Sequence, residues 1–140
     1  MTEIAAKLIT LNEGYRQKPY RCTAGKLTIG IGRNLDDKGI SQTEAKMLLD
    51  LDVAEVTTDL KKLLPDFVCL SAVRKAVLID MRFQLGYTGF RSFKKMIRAV
   101  NEGRIEDVAA ELLDSKYAKI DTPRRAQRNA QMYKSNIYLA

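Results

Sequence analysis

The sequence contains no histidine, and its two cysteines, Cys22 and Cys69, lie far apart without a Cys-x-x-Cys pair. This scarcity argues against a zinc site, and the missing histidine excludes a catalytic triad that depends on one. Carboxylates, hydroxyls and thiols are therefore the acid–base groups that remain available for chemistry. We expect neither a metal ion nor another cofactor.

Long apolar runs are also missing, because no stretch approaches the roughly 18 residues that span a membrane. The first helix-like stretch carries Glu3 and Lys7 and lacks the apolar region of a secretory signal. We therefore expect no stable membrane insertion. We also expect the chain to stay in the cytosol unless another protein moves it.

The most distinctive feature of the composition is a formal net charge of +7 in 140 residues. The length suits about one domain, and the hydrophobic fraction of 46% is ordinary for a globular protein. A basic surface favours polyanions such as nucleic acid, anionic membrane faces or acidic cell-wall polymer. An ordinary, mildly basic surface explains the charge equally well, so charge alone does not identify a partner.

The first forty residues predict one helix followed by a β-hairpin. Thr2 is suited to cap a helix, and Gly14 is suited to end it, which leaves Glu13 at the C-terminal end. Tyr20–Cys22 and Leu27–Ile31 then read as two short strands around a glycine-containing turn.

The remainder of the chain predicts helices. Ser41 and Glu44 fit a capping box for a long helix from Gln42 to about Leu63, which Pro65 ends. Further helices are expected at Ala72–Leu85, Phe90–Asn101, Ile105–Lys116 and from Thr122-Pro123 onward. The pattern predicts an α+β fold in which a long helix joins a small N-terminal β-hairpin lobe to a helical lobe.

Three residues with chemical potential cluster at the helix end and on the hairpin: Glu13, Cys22 and Thr28. A helix packed against a hairpin can place all three around one cleft. Taken alone this clustering is a weak signal. Glu13 as a solvated helix-end residue and Cys22 as a small buried hydrophobe remain open.

Several segments carry motifs of one known family, in that family's order along nearly the whole chain. They are Leu11–Tyr15, Pro19–Thr23, Gly25–Gly32, Gly39–Asp52, Ala72–Gly86 and Thr122–Arg128. On these segments the chain resembles the T-even-type phage lysozymes, or endolysins. The resemblance implies a single lysozyme-like domain over 1–140, with 1–40 as the hairpin lobe and first helix, 41–64 as the linking helix and 65–140 as the helical lobe.

The resemblance also implies an activity. It is that of a muramidase, a glycoside hydrolase that cuts the β-1,4 bond between N-acetylmuramic acid and N-acetylglucosamine in bacterial peptidoglycan and so lyses the host cell. A monomer without cofactor or nucleic-acid partner is expected. It would accumulate in the host cytoplasm and reach the wall through a separate membrane-permeabilising phage protein.

The same resemblance assigns catalytic roles. Glu13 would be the general acid that protonates the leaving oxygen, and Thr28 would position the attacking water. Cys22 stands where many members carry aspartate. A free thiol titrates near 8.5, and Cys22 is open to acting as a base, as a hydrogen-bonding group for water, or as a nucleophile.

Supporting residues follow from the same motifs. Asn34, Phe83 and Gln84 match substrate-binding positions, although Phe83 could equally belong to the core. Tyr20 precedes Cys22 on its strand. Arg125 matches an arginine beside the catalytic glutamate, with a surface arginine in a basic helix as the plainer alternative.

The sequence departs from the family in two further places. Asn12 and Arg33 replace an Asp–His pair associated with stability, and the stretch between Asn34 and Gly39 is short. Two other functions remain open. A lytic transglycosylase needs only one carboxylate, and a non-catalytic basic protein could bind wall or nucleic acid through Arg124, Arg125 and Arg128.

Overall fold

The chain folds into two units, each with its own elements. A computed structural model describes residues 2–139. The first unit ends at Leu48 and the second begins at Leu49, so the division falls inside one long helix.

The first unit holds one helix and a small antiparallel sheet. Helix α1 spans Thr2–Glu13, so Thr2 lies inside the helix rather than ahead of it as expected. The strands are β1 (Arg16–Arg21), β2 (Leu27–Gly30) and β3 (Arg33–Asn34), in that spatial order. The predicted hairpin is therefore confirmed. β1 begins earlier than expected, and β3 was not predicted.

Helix α2 spans Gln42–Leu63, with the bounds that the sequence predicted. The capping box at its start is also confirmed. The backbone N–H of Glu44 donates to the Ser41 hydroxyl oxygen at 3.1 Å, and the Ser41 backbone N–H donates to the Glu44 carboxylate at 3.2 Å. Arg33 forms an ion pair with the same carboxylate and donates to the Gly39 carbonyl. Arg33, one of the two departures from the family pattern, thus fastens the β-sheet to the start of α2.

The second unit is helical. After the end of α2 it contains a 3-10 turn at Phe67–Cys69, α3 (Ala72–Arg91), α4 (Lys94–Asn101), α5 (Ile105–Leu113), a π-helix at Tyr117–Asp121 and α6 (Pro123–Ser135). α3 is interrupted at Gly86 (φ 76°), where the sequence predicted its end.

Several predicted boundaries in this unit were wrong. Phe90 belongs to the last turn of α3, so the next helix begins at Lys94 instead. α5 stops at Leu113, and a π-helix follows that was not predicted. Thr122 does stand at the N-cap of α6 with Pro123 as its first residue, but its side chain makes no capping hydrogen bond.

The buried apolar residues of the described chain all lie in the second unit. They come from every one of its helices, and the fully enclosed ones include Leu60, Leu78, Met81, Phe90 and Leu112. This burial supplies the main stabilisation of the unit. None of the described helices combines the length and the apolar character that crossing a membrane requires. The mostly helical chain with one small sheet confirms the α+β expectation.

We predict that Glu44→Gln lowers the thermal unfolding temperature at neutral pH. Glutamine retains a hydrogen bond to Ser41 but loses the ion pair with Arg33. Backbone N–H donation from Ser41, helped by the Ser41 hydroxyl and Arg33, holds the pKa of Glu44 below its ordinary value. The ionised Glu44 carboxylate therefore contributes its full stabilisation of the folded protein above its unfolded pKa of about 4.3. This stabilisation is lost as the pH falls through the folded pKa.

Thermal unfolding followed by circular dichroism over a series of pH values checks this prediction. The difference between wild type and Glu44→Gln should shrink on acidification. Glu55→Gln, at an exposed position on the same helix, is the matched control. If the unfolding temperatures of wild type and Glu44→Gln differ by the same amount at acidic and at neutral pH, the expectation is contradicted.

Candidate active site

Glu13 lies at the C-terminal end of α1, and its side chain is exposed. The helix stops there because the backbone N–H of Gly14 bonds back to the Thr10 carbonyl at 2.8 Å and Gly14 turns the chain with φ at 69°. The Glu13 side chain lies against the backbone of Gly32, in the turn between β2 and β3. A carboxyl group is therefore held on the sheet that carries the other candidate catalytic residues.

Cys22 sits at the β1–β2 turn, with its backbone N–H bonded to the Lys26 carbonyl at 3.0 Å. The backbone N–H groups of Lys26 and Ala24 donate to its sulfur and, outweighing partial desolvation, lower the pKa of the thiol. The Thr28 hydroxyl lowers this pKa further. Donors of this kind favour the thiolate, which is the reactive form of cysteine.

Thr28 is buried at 3% exposure, although it carries a polar side chain. Its hydroxyl donates to the Lys26 carbonyl at 2.9 Å. A hydroxyl has one proton and two lone pairs, so Thr28 still has acceptor capacity for a water molecule. Cys22 and Thr28 are therefore neighbours across the β1–β2 hairpin.

Tyr20 and Asn34 flank Thr28, because both pair with it across the sheet. The Arg16 guanidinium covers the Tyr20 ring at 4.5 Å from its centroid. The Asn34 side chain donates to the Asp37 carboxylate and accepts from the Asp37 backbone N–H, both at 3.0 Å. Asn34 therefore shapes the short loop after β3, and its predicted contact with substrate stays a prediction.

Phe83 and Gln84 lie on α3 in the second unit. The Phe83 side chain is 46% exposed, so it does not belong to the core. The Gln84 amide nitrogen donates to the Thr122 hydroxyl at 3.0 Å. Within residues 2–139 the buried Oε1 of Gln84 has no hydrogen-bond partner. An amide oxygen in this condition retains unused acceptor capacity.

Arg125 forms a two-pronged ion pair with Asp80, an acidic partner that the sequence analysis did not anticipate. Its Nε donates at 2.9 Å to one carboxylate oxygen, and its Nη2 donates to the other. Asn129, which is buried, donates to Asp80 at 2.8 Å and to the Tyr117 hydroxyl at 2.9 Å. The pairing of Arg125 with Glu13 stays a prediction.

Burial raises the pKa of Asp80, but hydrogen bonds from Arg125 and Asn129 outweigh it and leave that pKa below its ordinary value. The network is therefore built around an ionised carboxylate. Among residues 2–139, no group of three or more acidic, cysteine or histidine side chains is arranged to hold a metal ion.

Comparison with known proteins gives one family and several relatives. The family described as Phage lysozyme matches residues 10–129. The chain is similar to an endolysin of Acyrthosiphon pisum secondary endosymbiont phage 1, with 30% identity over 128 residues that cover 89% of this chain and 85% of that protein. It is also similar to a probable T4-type lysozyme 2 of Dictyostelium discoideum, with 24% identity over 157 residues that cover 91% and 92%.

We predict that Arg125→Met destabilises the protein at neutral pH. The loss should be about 1 kcal/mol or less, because the ion pair is more than a third exposed. The pKa of Asp80 is lowered in the folded chain, so the benefit of the pair is present above the unfolded value of about 3.9 and is lost as the pH falls through the folded pKa.

Chemical denaturation at neutral and acidic pH measures this loss. Arg124→Met is the matched control, since Arg124 is the exposed neighbour of Arg125 on the same helix. Equal destabilisation by the two variants would show that the ion pair between Arg125 and Asp80 does not stabilise the protein.

Proposed function

Because this chain belongs to the phage lysozyme family, we propose that it hydrolyses the β-1,4 bond between N-acetylmuramic acid and N-acetylglucosamine in bacterial peptidoglycan. The observation that carries this proposal is the carboxyl of Glu13 on the same small sheet as the Cys22–Thr28 pair. All three residues fall inside the family match. The proposed role of the reaction is lysis of a host cell.

Glu13 acts as the general acid. It gives its proton to the glycosidic oxygen as the bond to the anomeric carbon breaks, so the leaving sugar departs as a neutral alcohol. Its exposed position at the helix end suits this role, because a polymeric substrate must reach the carboxyl from outside. Glu13 is the one carboxylate among the three proposed catalytic residues.

Cys22 and Thr28 act on the water. The Cys22 thiolate accepts a proton from a water molecule that Thr28 holds through its free lone pairs, and the water oxygen bonds to the anomeric carbon. The hydrogen bonds from Lys26 and Ala24 support this role, because they favour the deprotonated thiol. Proton exchange with solvent then restores Glu13 to its acid form and Cys22 to its thiolate. Direct attack by the sulfur and simple orientation of water are the alternatives that mutants must separate.

Phe83, Gln84 and Asn34 are the proposed substrate-binding residues. The exposed ring of Phe83 offers an apolar surface for a sugar face. The Oε1 of Gln84, which has no partner among residues 2–139, would accept a hydrogen bond from a sugar hydroxyl or acetamido N–H. Tyr20 is proposed as a supporting residue because it pairs with Thr28 across the sheet. Arg125, which forms an ion pair with Asp80, is proposed as a second supporting residue.

The proposal includes how the enzyme reaches its substrate. A monomer accumulates in the host cytoplasm, and a separate phage protein that permeabilises the membrane gives it access to the wall. The net charge of +7 favours encounter with an acidic envelope. This attraction weakens with salt because surface charges are screened.

We predict that Glu13→Gln reduces lysis of purified peptidoglycan by roughly 10²–10⁴-fold, the usual contribution of a general acid. Turbidity loss measures the rate. Glu3→Gln is the matched control, because Glu3 is an exposed glutamate at the other end of α1 that pairs only with Lys7 in the described structure. Full lysis by Glu13→Gln would overturn the assignment.

The mass of the products from the same digestion separates hydrolysis from transglycosylation. Hydrolysis adds one water to the new reducing end. A lytic transglycosylase leaves a 1,6-anhydro end instead, which would replace the proposed hydrolysis with the alternative reaction on the same bond.

We predict that Cys22→Ala loses most of the activity while Cys22→Asp retains it. If Cys22 is the base, activity rises with pH through its lowered pKa, and the rise in Cys22→Asp moves toward the ordinary aspartate value of about 3.9. Rate measurements across pH check both statements. Cys69→Ala, at the exposed second cysteine, should behave as wild type. An alanine variant as active as wild type would remove Cys22 from the mechanism.

A further inference from the structure

The backbone of Gly32 lies close to the Glu13 side chain. A Cβ atom placed on Gly32 would lie 2.8 Å from Glu13 Cγ, 2.8 Å from Cδ and 2.9 Å from Oε2. Real Cβ atoms are not found that close to other heavy atoms, so no side chain fits at this position while Glu13 keeps its place. The space that glycine leaves is filled by the carboxyl end of Glu13.

We propose that Gly32 is a positioning residue, which provides the seat that fixes where the Glu13 carboxyl is held. This inference rests on the proposed function, in which Glu13 is the general acid. A general acid works only within hydrogen-bonding reach of the leaving oxygen, and a displacement of about 1 Å can cost a hundredfold in rate. Any side chain at position 32 would force such a displacement.

The expected effect falls on catalysis more than on folding. Glu13 is exposed and its carboxyl is the far end of a flexible side chain, so it can swing into solvent when a Cβ appears on Gly32. The swing relieves the clash with little cost to the fold. It also moves the Glu13 carboxyl away from its position beside Gly32.

Gly30 provides a control with the same φ. Both glycines have φ at 67°, a value that residues with a side chain rarely adopt, so alanine meets an unfavourable φ at either position. The two differ in their surroundings, because a Cβ on Gly30 meets no atom within 4 Å. Any loss beyond that of Gly30→Ala therefore reports the contact with Glu13.

The experiment compares Gly32→Ala with Gly30→Ala on soluble peptidoglycan fragments, with thermal unfolding measured for both. We expect kcat of Gly32→Ala to fall about a hundredfold below that of Gly30→Ala, as for a displacement of about 1 Å. KM should change little, since the proposed sugar-binding residues are untouched. Equal kcat values in the two variants would overturn the proposal.

A second measurement guards against a variant that folds poorly. If the clash with Glu13 is the cause, Glu13→Ala should restore to Gly32→Ala the stability that it lacks relative to Gly30→Ala. Where Gly32→Ala proves less stable than Gly30→Ala, a double variant that keeps this deficit would overturn the contact as the cause.

Glu13→Gln, assayed in parallel, distinguishes the failure of this inference from that of the proposed function. An active Glu13→Gln refutes the role of Glu13 itself, and the positioning role falls with it. If Glu13→Gln is inactive while Gly32→Ala and Gly30→Ala have equal kcat values, only the positioning role of Gly32 is refuted.

Discussion

The candidate active site depends on one close approach, in which the side chain of Glu13 rests on the backbone of Gly32. It requires α1 to end at Glu13, and it requires a turn between β2 and β3 without a side chain at the point of contact. Once these conditions are met, the side chain of Glu13 lies against the sheet in which Cys22 follows β1 and Thr28 belongs to β2. The sheet then carries both halves of the proposed chemistry, proton donation and water activation. Catalytic groups held this way lose less rate to misorientation.

Local signals explain why much of the fold could be predicted. The bounds of α2 followed from the capping box of Ser41 and Glu44 and from Pro65, because each of these acts on neighbouring backbone groups. The sequence did not reveal β3, since two residues are too short to show alternation and this strand exists only by pairing with β2. The π-helix at Tyr117–Asp121 was missed because five residues are too few to show a helical period.

The sequence motifs singled out the candidate residues Glu13, Cys22 and Thr28, but they did not predict the contacts around them. The pairing of β1 with β2 makes Cys22 and Thr28 neighbours across the hairpin. Asp80 escaped notice because its partner Arg125 lies 45 positions along the chain, and no local pattern links residues so distant. The contact between Glu13 and Gly32 could not be predicted either, because it depends on the absence of a side chain at position 32.

The contact between Glu13 and Gly32 is the central claim, and nuclear Overhauser spectroscopy on the isotopically labelled protein tests it most directly. The α-hydrogen of Gly32 that takes the place of a Cβ points at the γ-methylene of Glu13, so strong cross-peaks are predicted between them. Cross-peaks from the Glu13 γ-protons only to residues of α1, with the sheet pairing of β2 and β3 intact, would contradict the account.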